Sequence, residues 1–449
     1  MLHWLPKFRM KQYPRNIMMA FDRYRLLHRI LACACVTLLL LLGPWKSVMA
    51  KADPSKRMYR LDYVFTIDPG KDERSALVRI KVGKNAKLLR SVQLRFDAKR
   101  FRDFKADGDL EVESGRLLWK PPKSGGELAY RVTINHRRGP DAYDALFTPQ
   151  WALFRGDDLV PPATVRALKN AESRAYLTFQ VPKRWTAEVP YKRLASGRYR
   201  VVQEGRKFDR PVGWMVTGKL GVRLETISGR KINVAGPTGN GVSRQDILAF
   251  LNWNLPHLIE VFPRFTKRLL IVSAGDPMWQ GGLSAPRSLY IHANQSLISE
   301  NGTSILLHEL VHVAMRIRAV PPDDWIVEGL AEFYALKIMR RSGTITKNRY
   351  AKAHEALSDW GKDVADLRQP QARGAVTAKA VGVFRALDSE IRKHTKGRHD
   401  LDDVARELAS DHRKPVSLEK LREVAEQIAG SPLKTLALDT KSVRPSVGS

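Results

Sequence analysis

Leu306-Leu307-His308-Glu309-Leu310-Val311-His312-Val313, followed after a short interval by Trp325-Ile326-Val327-Glu328-Gly329-Leu330-Ala331-Glu332-Phe333-Tyr334, is the stretch from which both fold and chemistry can be read. Four residues are close to one helical turn, so His308 and His312 leave one face of a helix and can present two imidazole nitrogens to a single metal ion. Glu309 stands beside them, able to take a proton from a water that the metal acidifies while a substrate carbonyl is polarised. The competing reading is a buried apolar helix whose histidines are merely hydrogen-bonded. A catalytic zinc needs a third protein ligand and a position left open for water. After the break at Pro321-Pro322, Asp323 or Asp324 can cap a second helix. Glu328 lies one turn inside it, in an otherwise apolar stretch where an unpaired carboxylate is costly to bury. A metal removes that cost. Glu332, one turn further along the same face, can accept a hydrogen bond from the far nitrogen of a histidine ligand and fix its tautomer. The bland alternative for both glutamates is exposure on the surface.

Upstream, from about Arg57 to Thr226, the chain runs in short stretches rich in valine, tyrosine, phenylalanine and threonine, broken by Gly, Pro, Asp and Asn. Residues 59–66, 75–82, 130–134 and 199–202 read as strands. Their alternation of apolar with basic or polar residues predicts antiparallel sheets with one wet face, as in a sandwich or saddle. Gly236-Pro237-Thr238-Gly239-Asn240-Gly241 reads as a linker or turn. Beyond it the periodicity predicts helices over 244–261, 303–318, 324–340, 381–394, 401–410 and 418–429, with strands at 268–272 and within 281–292. The fold class is therefore α+β. The expected division is an export segment at 1–50, a β-rich domain at 51–235, a core carrying the metal site at 236–345, and a helical region completing the catalytic domain at 346–449.

The pattern His-Glu-x-x-His with the downstream Trp325-x-x-Glu328-Gly-Leu-Ala-Glu332-Phe-Tyr334 resembles the gluzincin metallopeptidases, most of all the glycyl aminopeptidase family, whose members often carry a PDZ domain. Arg210-Pro-Val-Gly-Trp214 and the β-rich region before it look like that family's N-terminal β domain. Leu387-Asp-Ser-Glu-Ile-Arg-Lys393, Gly397 and Leu401-Asp-Asp403 look like its C-terminal helical part. The resemblance implies a thermolysin-like, mostly helical catalytic domain, one zinc per chain and hydrolysis of peptide or protein substrates. It carries His308, His312 and Glu328 over as metal ligands and Glu309 as general base. Three departures stand out. The interval from His312 to Glu328 is shorter than is usual, so the helix connection must be tight. The segment that the resemblance implies is the substrate-binding edge strand reads Gly281-Gly282-Leu283-Ser284, with a serine where relatives commonly place a glutamate for the peptide's free amino group. Thr377-Ala378-Lys379-Ala380 replaces a tyrosine ahead of Lys-Gly. Apart from these three, no PDZ domain is evident after the helical region. These changes leave a second reading, a catalytically impaired, gluzincin-like binding or scaffold protein of the cell envelope. Retention of Glu309, which a scaffold needs least, argues against it.

The 449 residues carry 77 lysines and arginines against 46 aspartates and glutamates, a formal net charge of +31, which points to an anionic surface or partner. The basic residues are spread through the β region in ones and twos without interleaved aromatics. They read as solvated faces suited to contact with an anionic envelope surface, and not as a nucleic-acid platform. The two cysteines, Cys33 and Cys35, both lie near the N-terminus and exclude a disulfide framework and a four-cysteine zinc site. They sit in an apolar run, Ile30 to Gly43, shorter than the roughly 20 residues a membrane-spanning helix needs. Arg23, Arg25 and Arg29 precede it and Val48-Met49-Ala50 follows, the pattern of a signal peptide cleaved after Ala50. Export to a periplasm or cell envelope is the expectation, with anchoring through residues 30–43 if the segment is kept. Ser417-x-x-Lys420 reads as a helix cap and not as a nucleophile motif.

Overall fold

Alternation builds the first half of the chain: along Arg57–Thr66, Tyr59, Leu61, Tyr63 and Phe65 are fully buried while the residues between them are partly exposed. The computed structural model describes residues 57–72, 74–203, 206–411 and 414–437, and the expected export segment lies outside them. Six strands carry the architecture of this half: β1 (Arg57–Thr66), β2 (Ser75–Val82), β3 (Gly126–Thr133), β4 (Trp151–Arg155), β5 (Ala171–Gln180) and β6 (Trp214–Gly218). A seven-stranded sheet runs in the order Lys192–Arg193, Tyr199–Val201, β5, β1, β2, β3, Phe101–Ala106. β1 pairs antiparallel with β2 but parallel with β5. The expectation of wholly antiparallel sheets is corrected at that pair. Its partners are far apart in sequence, and the long connection a parallel pair requires is supplied by strands of this sheet and of the other two. A four-stranded sheet and a five-stranded sheet containing β4 and β6 complete this half. Residues from all three sheets, among them Tyr63, Trp119 and Phe154, form one apolar core.

The second half is built on β7 (Leu220–Ile227), β8 (Arg230–Pro237), β9 (Arg268–Ala274), β10 (Gly282–Ala285) and β11 (Ser288–His292), in the order β7-β8-β9-β11-β10. The expected division at 235/236 therefore falls inside β8, and the sheet beside the candidate site begins at Leu220. The hairpin β7–β8 is locally indistinguishable from the strands before it; only its parallel pairing with β9 assigns it to this sheet. α1 (Arg244–Val261) makes the crossover between those parallel strands.

Helices follow: α2 (Ile305–Met315), α3 (Asp324–Arg341), α4 (Lys347–Gly361), α5 (Ala375–His394), α6 (Leu401–Ser410) and α7 (Leu418–Ala429). α2 is shorter than expected at both ends. Ser304 Oγ accepts from Leu307 N at its start, and Arg316, in the left-handed region at φ 57°, ends it. α4 was not predicted, since Ala353, His354, Leu357 and Gly361 are its only buried residues and leave little apolar signal. α3 and α5 touch at Gly329, where a Cβ would lie 2.5 Å from that of Ala380 and 2.8 Å from the Phe384 ring. Trp325 stacks on Phe384 at 5.7 Å beside this contact.

Candidate metal centre

α2 is an apolar rod on every side but one. Leu306, Leu307, Leu310, Val311, Val313 and Met315 are buried in the main core of the second half, each contributing roughly 1.5–3 kcal/mol, so the helix cannot roll. That fixes the face from which His308 and His312 project toward α3. The start of α3 is fixed differently from expectation, because neither aspartate makes the predicted side-chain cap. Asp323, fully buried, accepts from Arg368 Nε at 2.8 Å and from Leu418 N at 2.8 Å, and Asp324 accepts from Ala372 N at 3.0 Å. The linker before it is tied to Val416, which accepts from Val320 N and donates to Arg318 O. The short connection is thus pinned from outside, which delivers Glu328 opposite the histidines.

His308 Nε2 lies 3.1 Å from His312 Nε2 and 3.3 Å from Glu328 Oε2, and His312 Nε2 lies 3.5 Å from Glu328 Oε1. Among the described residues these three form the only group of this kind, their ligand atoms all within 4.8 Å of one another. Glu332 Oε2 sits 2.9 Å from His308 Nδ1. With that nitrogen donating, the His308 Nε2 lone pair points at another imidazole and at a carboxylate, an arrangement that calls for a cation. Without a metal, a proton must fill the gap. Burial opposes charge on His308, yet its hydrogen bonds to Glu328 and Glu332 outweigh burial and push its pKa well above the ordinary imidazole range. Against its own burial, hydrogen bonds to His308 and His312 hold Glu328 below the usual carboxylate range. Two imidazoles and one carboxylate, with Glu332 behind one of them, fit a zinc ion that keeps one position open.

Glu309, 9% exposed, packs from α2 against the edge strand β10. A Cβ at Gly282 would lie 2.7 Å from Glu309 Cγ and 2.7 Å from Ile305 Cγ2, so only glycine lets the strand approach this side chain. Gly281 abuts the Trp279 ring, and Leu283 offers its carbonyl to Trp214 Nε1 at 2.8 Å. Ser284 is half-buried and, with His312, lines a cleft of about 2350 Å³. Thr377 and Ala378 lie in the first turn of α5, Ala378 buried. The sequence did not reveal the roles of Trp214 and Trp279, which hold the edge strand; their partners are distant in the chain or backbone atoms, which leave no pattern.

No protein-family model matches the chain, and no curated protein matches it. Solved structures do. An aminopeptidase N family protein from Idiomarina loihiensis is 15% identical with a TM-score of 0.57, the match covering 78% of this chain and 70% of that one. An M1 zinc metallopeptidase from Deinococcus radiodurans is 14% identical with a TM-score of 0.53, over 88% of this chain and 96% of that one. A variant of the latter bound to a Tyr-Ser-Ala substrate gives a TM-score of 0.55 at 14% identity, over 87% and 95%. At such identities the likeness is one of fold, and it spans both halves: this chain has the α+β fold seen in those M1 and aminopeptidase N family proteins.

Proposed function

We propose that the chain is an exported zinc-dependent peptidase whose second half is a thermolysin-like catalytic domain. The observation that carries this reading is the convergence of His308 Nε2, His312 Nε2 and the Glu328 carboxylate within 4.8 Å, with Glu309 beside them against the edge strand. The fold likeness to zinc metallopeptidases, one of them bound to a tripeptide, supports it. His308, His312 and Glu328 would hold one zinc ion. Bound there, zinc supplies Lewis acidity that brings the pKa of water toward neutrality and polarises the scissile carbonyl. Glu309 accepts the proton of the attacking water and returns it to the departing amine. Glu332 keeps a proton on His308 Nδ1, so that Nε2 remains a ligand. β10 lies at the edge of its sheet, and its backbone from Gly282 to Ser284 can pair with an extended peptide. Export rests on Ile30 to Gly43, its flanking arginines and Ala50.

The test is metal content together with hydrolysis of an unbiased peptide library. Protein purified without chelator should hold about one zinc per chain. Chelation should abolish hydrolysis, His308→Ala and His312→Ala should each lose most of the metal, and Glu309→Gln should keep zinc but lose turnover. Full zinc occupancy in the His308→Ala, His312→Ala double variant would overturn the assignment. Full turnover by Glu309→Gln would overturn the role of the base.

A further inference from the structure

The cleft that opens at His312 and Ser284 has a lining unlike the rest of the molecule. Thirteen arginines and lysines face it against two carboxylates, Asp403 and Glu407, whereas the whole chain carries 77 against 46. The residues come from segments far apart in sequence, including β5 (Arg174), the turn after α1 (Lys267), β9 (Arg268) and the linker between α2 and α3 (Arg318). Among the described residues Arg174, Lys192, Lys267, Arg268 and Arg318 form no ion pair. Cations held without counterions on the walls of a concavity focus their field into it, so the cleft is a trap for negative charge and not an ordinary wet face.

The shape and the aromatic residues narrow the ligand. A volume of about 2350 Å³ exceeds the roughly 300–1,000 Å³ of a small-molecule pocket and suits several residues of extended peptide. Nucleic acid on a single-strand platform needs open rings for base stacking. Here the tyrosine rings already carry guanidiniums, Arg200 over Tyr176 at 5.3 Å and Arg287 over Tyr191 at 5.6 Å, and the lining phenylalanines Phe262 and Phe265 are buried. Arginine forks match carboxylates in paired, charge-assisted hydrogen bonds. A free amino terminus, by contrast, meets Ser284 among cations.

We propose that this cleft binds the acidic part of the substrate, a peptide segment carrying several Asp or Glu side chains next to the bond that is cleaved. The proposal rests on the peptidase reading of the metal centre, and two separate measurements keep the two apart. Binding is read on the full chain carrying Glu309→Gln, using rhodamine-labelled decapeptides that differ only in having three glutamates, three glutamines or three lysines. Cleavage of the same peptides is read on the zinc-loaded wild-type chain. The glutamate peptide should bind at least tenfold more tightly than the glutamine peptide at 50 mM salt, with the lysine peptide weakest. That advantage should fall below threefold at 0.5 M salt, where screening shortens the range of each charge to roughly 4 Å. Arg174→Gln, Lys267→Gln and Arg318→Gln, all at exposed positions, should together remove most of it; Arg230→Gln with Arg264→Gln is the second set should the triple variant fold poorly. Equal binding of the glutamate and glutamine peptides overturns the proposal even if both are cleaved. Tighter binding of a single-stranded oligonucleotide of equal charge overturns it too. Tight, salt-sensitive binding of the acidic peptide with no cleavage of any peptide upholds the cleft and removes the peptidase reading instead.

Discussion

Replacing Gly282 by alanine tests the geometry of the candidate base more narrowly than removing Glu309 does. The new methyl would stand 2.7 Å from Glu309 Cγ and 2.7 Å from Ile305 Cγ2, where carbon atoms prefer about 3.5–4.0 Å. Something must yield by about 1 Å. The backbone of α2 is held by its buried leucines and valines, so the Glu309 side chain or the edge strand gives way, and either shift moves the carboxylate relative to the strand that would carry substrate. A misplacement of about 1 Å costs on the order of a hundredfold in rate, or about 2.7 kcal/mol in the barrier. The metal ligands are side chains of α2 and α3 that Gly282 does not touch, so zinc content should stay near one per chain. Gly281→Ala is the control, because its methyl strikes the Trp279 ring at 2.4 Å and strains the same strand away from Glu309. The assay is kcat on a good library substrate, with metal content and thermal melting for all three proteins. A folded, zinc-loaded Gly282→Ala protein with kcat within threefold of wild type would refute the reasoning. A loss in Gly281→Ala as large as in Gly282→Ala would trace the effect to the strand and not to the base.

Burial, with the Arg385 charge second, lowers the pKa of His354 to about 4, so between pH 6.5 and 4 the unfolded chain takes up a proton that the folded chain refuses. Stability should therefore fall as the pH drops through that window, by about 3 kcal/mol at full extent, and urea unfolding at pH 7 and 4 should show the wild type losing that much more than His354→Leu. An equal loss in both proteins would exclude the histidine as its source. Asp323→Ala leaves Arg368 and Leu418 N without their buried acceptor and should cost about 3 kcal/mol. It should also weaken zinc binding by loosening the start of α3, and a cost below 1 kcal/mol with unchanged zinc affinity would show that α3 is positioned by its other contacts. Under the export proposal, intact mass of the protein recovered from the cell envelope should place its first residue at Lys51, and a chain retaining 30–50 would show an anchored form instead.

Local periodicity determined a good deal of this protein from sequence alone. That His308 and His312 share a face follows from 3.6 residues per turn, and the bounds of α1, α6 and α7 were legible because each places its apolar residues on one side. Glu328 and Glu332 stood out because carboxylates in an apolar helix need partners. Periodicity reports which face is buried but not what it is buried against, and there the tertiary structure decided. The parallel pairing of β1 with β5, the membership of β7 and β8 in the second sheet and the engagement of Asp323 by Arg368 and Leu418 all join residues far apart in the chain. Gly282 reads in sequence as part of an edge strand for substrate and becomes a point of close approach to Glu309 only when β10 lies on α2. The basic residues that looked like scattered solvated faces follow the same rule. Each is ordinary beside its own neighbours, and only the fold brings thirteen of them around one cleft, where their fields add.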